Sequence, residues 1–333
     1  MKKTGQSIKF QEKISIASMS SIVGPMEGEG PLKNYFDVVL SDIMNGEDSW
    51  EKGEGKITAD ALALAIKKSG RKREEIDYII CGDLLNQSVS STYGARDMGI
   101  PFFGVFGACS TIGEAMTLGA MLLDGGFAQN ILVGASSHFC AAEKQFRFPL
   151  ELGSQRAPTS SWTVTGCGAA VLSRQGEGPY ITGATTGIIV DLGITDVNNM
   201  AAAMAPAAVE TLRAHFKDYG AKPKDYDLII TGDLGYLGKD IVLRLMGNAG
   251  YDLSNNYTDC GIEIFNREKQ KTRNGGSGCA CSAVTLAGCF FDKLKKCELN
   301  KILFVPTGAL MSQTSVQQGE SIPGIAHAVV IET

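Results

Sequence analysis

Two stretches of the chain repeat one pattern of apolar and polar positions. Residues 76–84 read IDYIICGDL, and residues 226–234 read YDLIITGDL. A short run rich in Ile and Tyr that ends in Gly-Asp is typical of a buried strand followed by a turn. Each run also follows an amphipathic stretch with helical spacing, at residues 59–69 and 207–218. The pattern therefore predicts a helix-then-strand unit that occurs twice.

A second pair of similar segments follows in the same order. Residues 117–124, TLGAMLLD, resemble residues 285–292, TLAGCFFD, and each is followed by an apolar strand pattern. A shared order of helix, strand, helix and strand indicates an internal duplication, and two copies are too few for a solenoid. We therefore predict two similar α/β halves packed together: an N-terminal half of residues 1–195 and a C-terminal half of residues 196–333.

The paired apolar segments lack the polar face of a surface helix. Residues 110–123 contain one charged residue, Glu114, and residues 282–291 contain none. A helix that is apolar on every side is buried on every side. We therefore predict two central helices between two sheets, one sheet per half, with outer helices covering the other faces.

Both predicted central helices begin at small polar residues. The first starts at residues 107–111, GACST, and the second at residues 274–279, NGGSGC. Cys109 and Ser277 match, because each lies eight residues before the Thr-Leu pair of the repeat. Helix starts expose unpaired N–H groups and the positive end of the helix dipole, so two of them together suit a ligand with two carboxylates. The alternative is that these residues only cap buried helices.

At these residues the chain resembles the thiolase superfamily. The resemblance rests on the duplicated halves, the two helix starts, and the sequence PTGA at residues 306–309 before a last strand at 326–332. It implies a thiolase-like duplicated αβαβα five-layer fold, usually a homodimer, with a dimer contact near residues 93–96. It also implies that Cys109 holds the position of the acyl-accepting nucleophile, whereas the structural alternative is a packed thiol.

The chain departs from that superfamily at the residues that would assist the cysteine. Thiolases and ketoacyl synthases place one or two histidines, or a histidine and an asparagine, beside it, but the matching positions here are Gly232 and Ser277. Of the three histidines, His215 is predicted in an outer helix, His327 in a late strand, and His138 outside any catalytic motif. Each proton-transfer group contributes roughly 10²–10⁴-fold to a rate. We therefore predict a protein that is not an enzyme and that keeps the pocket with a vestigial nucleophile.

A narrower resemblance is to the stage V sporulation protein AD family of spore-forming bacteria. It is carried by residues 106–111 (FGACST), 136–139 (SSHF), 147–149 (RFP), 155–159 (QRAPT) and 274–279 (NGGSGC). The resemblance implies binding of dipicolinic acid, with calcium if the chelate is the bound form, during uptake into the developing spore and release at germination. It also implies other membrane proteins of the same sporulation operon as partners. The implied location is the cytoplasmic face of the spore inner membrane, as a peripheral protein.

The candidate ligand-binding residues follow from the helix starts and from this resemblance. Dipicolinate is a flat pyridine ring with two carboxylates, which two helix starts can accept. The first group of candidates is Cys109, Ser110, Thr111, Ser277 and Gly278. A second group follows strands that should end near the same face, and consists of Asp83, Asn86 and His138. We predict no cofactor and no metal site of the protein itself.

Two other functions stay open on the sequence. One is a cryptic acyltransferase or condensing enzyme that uses Cys109 as its acyl-accepting nucleophile. The other is a scaffold whose pocket is vestigial and binds nothing. Transfer of an acyl group onto Cys109 distinguishes the first of these from a binding protein, and failure to bind dipicolinate distinguishes the second.

Composition narrows the classes of protein. The 333 residues are 44% apolar and 20% charged, as in a folded globular domain, and the net charge of −5 disfavours a nucleic-acid-binding surface. We find no run of about 18 apolar residues that would span a bilayer, and no apolar signal-peptide core near the first residues. Nine cysteines, an odd number, favour free thiols in a reducing compartment.

Overall fold

The computed structural model describes residues 2–146 and 156–333. Residues 147–149 and Gln155, which carry part of the family resemblance, lie outside the described residues. The strands are β1 Lys2–Thr4, β2 Ser7–Val23, β3 Val38–Val39, β4 Tyr78–Gly82, β5 Phe102–Gly104, β6 Asn130–Ser137, β7 Trp162–Thr163, β8 Gly166–Ser173, β9 Tyr180–Thr185, β10 Leu228–Gly232, β11 Tyr257–Asp259, β12 Gly276–Ser277, β13 Lys301–Ala309, β14 Gly324–Ala326 and β15 Ala328–Glu332.

The α-helices of the described residues range from one turn to more than five. They are α1 Pro25–Gly28, α2 Trp50–Ser69, α3 Val89–Ala95, α4 Thr111–Asp124, α5 Phe139–Phe146, α6 Met200–Tyr219, α7 Gly235–Asn248, α8 Cys260–Glu263, α9 Arg267–Gln270, α10 Cys279–Thr285, α11 Phe291–Lys295 and α12 Gln313–Gln317. None of these helices is both long enough and apolar enough to cross a membrane.

Ten strands form one hydrogen-bonded path, and its order reflects the duplication. The order is β11-β10-β13-β15-β9-β2-β8-β6-β4-β5. Counted inward from one end, the strands of the second half are β11, β10, β13 and β15. Counted inward from the other end, the strands of the first half in the same places are β5, β4, β6 and β8. The repeated strands also pair alike, because β4 is parallel to β6 and β10 is parallel to β13. Two α/β halves of the same topology are therefore present, as the repeat predicts.

The structure differs from the prediction of one separate sheet per half. β2 is 17 residues long and pairs antiparallel with β8 on one side and with β9 on the other. The two sets of five strands are therefore joined at β2 and β9, with a register shift between Lys9 and Ile14. The predicted boundary between residues 195 and 196 falls in the loop from β9 to α6, and this division stays a prediction.

The two central helices lie between the two sets of strands. α4 contacts β4 and β6 of the first half and β13 and β15 of the second, and α10 contacts β6, β8 and β10. Ile112 and Met116 of α4 are completely buried, and every residue of α10 is buried. α2 and α3 cover the outer face of the first half, and α6, with α7 beside it, covers that of the second. The predicted α/β fold with five αβαβα layers is confirmed.

One central helix approaches the strands at a glycine. A Cβ on Gly168 of β8 would lie 2.4 Å from the carbonyl carbon of Ala283 in α10, so glycine lets the two backbones touch. The helix then continues from α10 to α11 through a π-helical turn at Leu286–Phe290. This contact positions the start of α10, where Ser277 and Gly278 lie, relative to β8.

Candidate functional site

The starts of the two central helices meet. Cys109 lies just before α4, and Ser277 and Gly278 lie just before α10. The Cys109 Sγ and Ser277 Oγ atoms are 3.7 Å apart, within hydrogen-bonding range for sulfur. Gly278 has φ 103°, and a Cβ there would lie 2.7 Å from the Ser137 Oγ atom, so this position requires glycine.

A pocket opens beside this meeting point. It encloses about 690 Å³, including its open mouth, and Cys109, Ser277 and Gly278 line it. Its other lining residues combine hydroxyl and amide groups with apolar side chains, and include Ser160, Thr163, Asn198, Phe146, Met200 and Met311. Mostly apolar walls with a few polar groups are typical of small-molecule sites. The structure therefore brings three of the eight candidate residues into one pocket wall.

Ser110 and Thr111 lie beside the pocket but shape the helix start. Both side chains are fully buried. The Ser110 hydroxyl donates a 2.7 Å hydrogen bond to the Gly107 carbonyl, and the Thr111 hydroxyl donates a 2.6 Å bond to the Ala108 carbonyl. Their hydroxyl protons are therefore used within the turn that positions Cys109.

The structure places the second group of candidates away from this pocket. The Asp83 carboxylate is buried and accepts hydrogen bonds from the Leu85 N–H and from the N–H and hydroxyl of Ser91. Asn86 lines a separate surface cavity with Lys144. The Asp83 Oδ1 atom accepts from the N–H two residues later, which is the turn chemistry that an Asp after a strand favours.

No histidine ring is hydrogen-bonded to Cys109 within the described ranges. His138 is buried, with Nε2 2.9 Å from the Ile43 carbonyl oxygen and Nδ1 accepting from the Ala141 N–H. His215 bonds Thr185 and Tyr226, and the His327 Nδ1 atom accepts from the Gly187 N–H. Burial lowers the pKa of all three rings, so they are neutral at pH 7.

The Cys109 thiol is protonated in this setting. Burial raises its pKa above the usual range, and the neighbouring Asp233 carboxyl raises it further. Ser277 and the Gly278 backbone lower the pKa, but by less. A thiol without a basic neighbour is a poor nucleophile, because the thiolate is the reactive form.

The sequence suggested Asp233, like Asp83, only as a residue that could complete the oxygen shell of calcium bound with the ligand, and it favoured turn chemistry for both. Asp233 follows Gly232 at the end of β10 and is completely buried, with one carboxyl oxygen accepting a 2.9 Å hydrogen bond from the Ser282 hydroxyl. Ser277 and Gly278 also stabilise its ionised form. The repeated Gly-Asp at residues 82–83 and 232–233 is the sequence signal for Asp233. The repeat gives no reason, however, to choose Asp233 over Asp83.

A partly buried ion pair borders the pocket. Glu143 lines it, and its carboxylate is 2.9 Å from the Arg156 guanidinium. Arg156 also lies over the rings of Trp162 and Phe139, 5.0 and 5.6 Å from their centroids, and these two rings stack 3.9 Å apart. In the sequence, Arg156 was noted only as part of the family resemblance.

Within residues 2–146 and 156–333, no group of three His, Cys, Asp or Glu side chains forms a metal site.

The fold is that of thiolase-like condensing enzymes. OleA from Xanthomonas campestris matches with a TM-score of 0.62 and 15% identity, over 97% of this chain and 100% of that chain. The 3-oxoacyl-[acyl-carrier-protein] synthase III of Aquifex aeolicus matches with a TM-score of 0.57 and 15% identity, over the same shares of both chains. At this identity the likeness establishes the fold alone.

The family follows from the sequence comparisons. The model of the family Stage V sporulation protein AD (SpoVAD) matches residues 4–332. Stage V sporulation protein AD of Bacillus subtilis (strain 168) is 44% identical over 333 residues, which is 100% of this chain and 98% of that protein. The chain therefore belongs to the stage V sporulation protein AD family, as its sequence resemblance indicated.

Proposed function

We propose that this protein binds dipicolinic acid in the pocket at Cys109 and Ser277, and that it serves dipicolinate uptake into the developing spore and release at germination. The observation that carries the proposal is the pocket itself, in a chain of a sporulation family. The proposal includes membrane proteins of the same operon as partners, and a peripheral location on the cytoplasmic face of the spore inner membrane.

The chemistry of the pocket suits a small aromatic acid. The pocket has mostly apolar walls with a few polar groups, the combination typical of small-molecule sites. Apolar side chains such as Phe146 and Met311 can contact the faces of a flat ring, while Ser160, Thr163 and Asn198 offer hydrogen bonds. The Arg156 guanidinium offsets the charge of Glu143, which would otherwise repel a dicarboxylate.

We propose binding without catalysis. The Cys109 thiol is protonated, and the hydrogen bonds of all three histidines lie elsewhere. An acyl-transfer step needs a thiolate or a base beside the thiol. Incubation with acyl thioesters is expected to leave the intact mass of the protein unchanged, and an adduct that the Cys109→Ala variant lacks would favour the acyltransferase instead.

Calorimetric titration with dipicolinate tests the proposed function directly. We expect saturable binding to one site per chain, with and without calcium. Isophthalate, which has the same two carboxylates but no ring nitrogen, is the matched comparison ligand for the contribution of that nitrogen. No heat of binding with dipicolinate in either condition would refute the proposal and support a vestigial pocket.

We propose a homodimer that pairs through the edge of the first half. β5 is the last strand of the hydrogen-bonded path, and Phe103 within it and Phe106 just after it are 51% and 45% exposed. Tyr93, on the adjoining α3, is 58% exposed. An edge strand with exposed aromatic side chains is suited to pair with another strand, and a second copy of this chain supplies one.

Phe103→Glu is expected to convert the dimer to a monomer. A charge on the edge strand opposes strand pairing, because it must be buried between the two copies. Sedimentation velocity measures the change in mass. Ile189→Glu, a change at a 62% exposed position of the first half's C-terminal end, away from β5, should leave the dimer intact. Loss of the dimer in the Ile189 variant but not in the Phe103 variant would place the interface elsewhere.

A further inference from the structure

Asp233 is a buried carboxyl group with an incomplete set of hydrogen bonds. Its side chain is fully buried, and its backbone has φ 74°, which few residues other than glycine adopt. Oδ2 accepts the hydrogen bond from Ser282, whereas Oδ1 has no partner among the described residues. A buried carboxylate anion requires several donors to replace water. This pattern therefore indicates a neutral carboxylic acid.

A neighbouring carboxyl group, Asp259, is the one equipped to hold charge. It accepts hydrogen bonds of 2.8–3.2 Å from the Thr231 hydroxyl and from the N–H groups of Leu234, Gly235 and Gly261. Two buried like charges repel, so the group with fewer donors keeps the proton. Burial raises the pKa of Asp233 well above its usual range and the Asp259 charge raises it further, whereas the pKa of Asp259 is about 6.

The other titratable groups that face Asp233 are thiols. They come from the start of α4, from α8 and from α10, and are Cys109, Cys260, Cys279 and Cys281. Burial raises the pKa of each thiol, so all four are neutral at pH 7. No cation in the described part of the chain is hydrogen-bonded to Asp233. Burial and the Asp259 charge therefore outweigh the donors near Asp233, which are Ser282, Ser277 and the Gly278 backbone, and keep the proton on Asp233.

Ser277 connects Asp233 to the pocket. It lies beside the Asp233 carboxyl and lines the pocket next to Cys109. A serine hydroxyl has one proton to donate and two lone pairs to accept with. Beside an ionised Asp233, the Ser277 proton points at that carboxylate and a lone pair faces the pocket. Beside a protonated Asp233, Ser277 accepts from the acid and its own proton is available to the pocket.

We infer that Asp233 is a positioning residue which, by carrying a proton, turns the Ser277 hydroxyl into a hydrogen-bond donor toward a carboxylate held in the pocket. The inference rests on the proposed function and adds that binding requires a proton on Asp233. No covalent bond changes in this step. Because the protonated form binds the carboxylate and the ionised form repels it, affinity is constant while free Asp233 is protonated. Above the pKa of Asp233, affinity falls about tenfold per pH unit.

The test measures dipicolinate affinity from about pH 6 to about pH 9, a range in which buried carboxyl groups titrate. Infrared spectra of the saturated complex supply a second readout. The wild-type complex should show the C=O stretch of a protonated carboxyl that the Asp233→Asn complex lacks. Asp233→Asn, whose amide always donates, should bind with a flat pH profile. Ser277→Ala should bind more weakly and with a shallower pH dependence, because only the repulsion by ionised Asp233 is left.

Glu27→Gln is the matched control. Glu27 is another buried acid, its pKa is raised to about 7 by burial, and it does not line the pocket. The pH profile of this variant should equal that of the wild type. Binding without the protonated-carboxyl band, or a pH profile lost in Glu27→Gln instead, would overturn the inference and leave the proposed function standing. No binding at any pH would overturn both.

Discussion

Ser277→Tyr is expected to abolish dipicolinate binding while the protein stays folded. Ser277 is 9% exposed and lines the pocket, with its hydroxyl 3.7 Å from the Cys109 sulfur. The backbone around it is closely packed, so the pocket is the open space for a phenol ring. We expect affinity to fall at least about 100-fold, which corresponds to about 2.7 kcal/mol.

The measurement is the same calorimetric titration, with thermal unfolding recorded in parallel. Ser41→Tyr introduces the same side chain at an exposed position outside the pocket and should bind like the wild type. Unchanged affinity in a folded Ser277→Tyr protein would count decisively against this pocket. Equal loss in the Ser41 variant would instead indicate a general effect of the substitution.

Gly168→Ala is expected to lower the free energy of unfolding by about 3 kcal/mol, the upper part of the range for overpacked cores. The added methyl group would lie 2.4 Å from the Ala283 carbonyl carbon, and backbone atoms cannot rotate away as a side chain can. Either β8 or α10 must shift. A shift of α10 also moves Ser277 and Gly278, so weaker dipicolinate binding should accompany the lost stability.

Chemical denaturation measures the loss of stability in Gly168→Ala, and titration with dipicolinate measures the loss of affinity. Gly247→Ala is the matched control, because Gly247 lies in α7 and a methyl group added there would have no neighbouring atom within 4 Å. Alanine in a helix is favoured over glycine, so this variant should gain about 0.5–1 kcal/mol. A Gly168→Ala protein as stable as the wild type would show that β8 and α10 are not in close contact.

The duplicated fold was predictable because its signals are local. The run of apolar residues that ends at Gly82 and its copy ending at Gly232 are strands in both halves. Both repeated apolar segments are helical and largely buried, although Leu118 in the first is 38% exposed. Cys109 and Ser277 were matched by counting positions in the repeat. A helix that is buried on all sides is apolar at nearly every position, so its own sequence is enough to predict its burial. The joining of the two sheets at β2 was missed, since the length of a strand does not reveal which strands it pairs with.

The two-half fold and the meeting of the helix starts therefore follow from the sequence, whereas the polar side chains that surround those starts depend on tertiary contacts. Asp83 and Asp233 occupy equivalent places in the repeat, yet Asp83 is hydrogen-bonded by the N–H groups of Leu85 and Ser91, whereas Asp233 lies beside Ser277. Likewise, Arg156 borders the pocket by reaching Glu143. The direction of a side chain after a strand depends on loop conformation and on partners distant in sequence, and no repeat or periodicity records either.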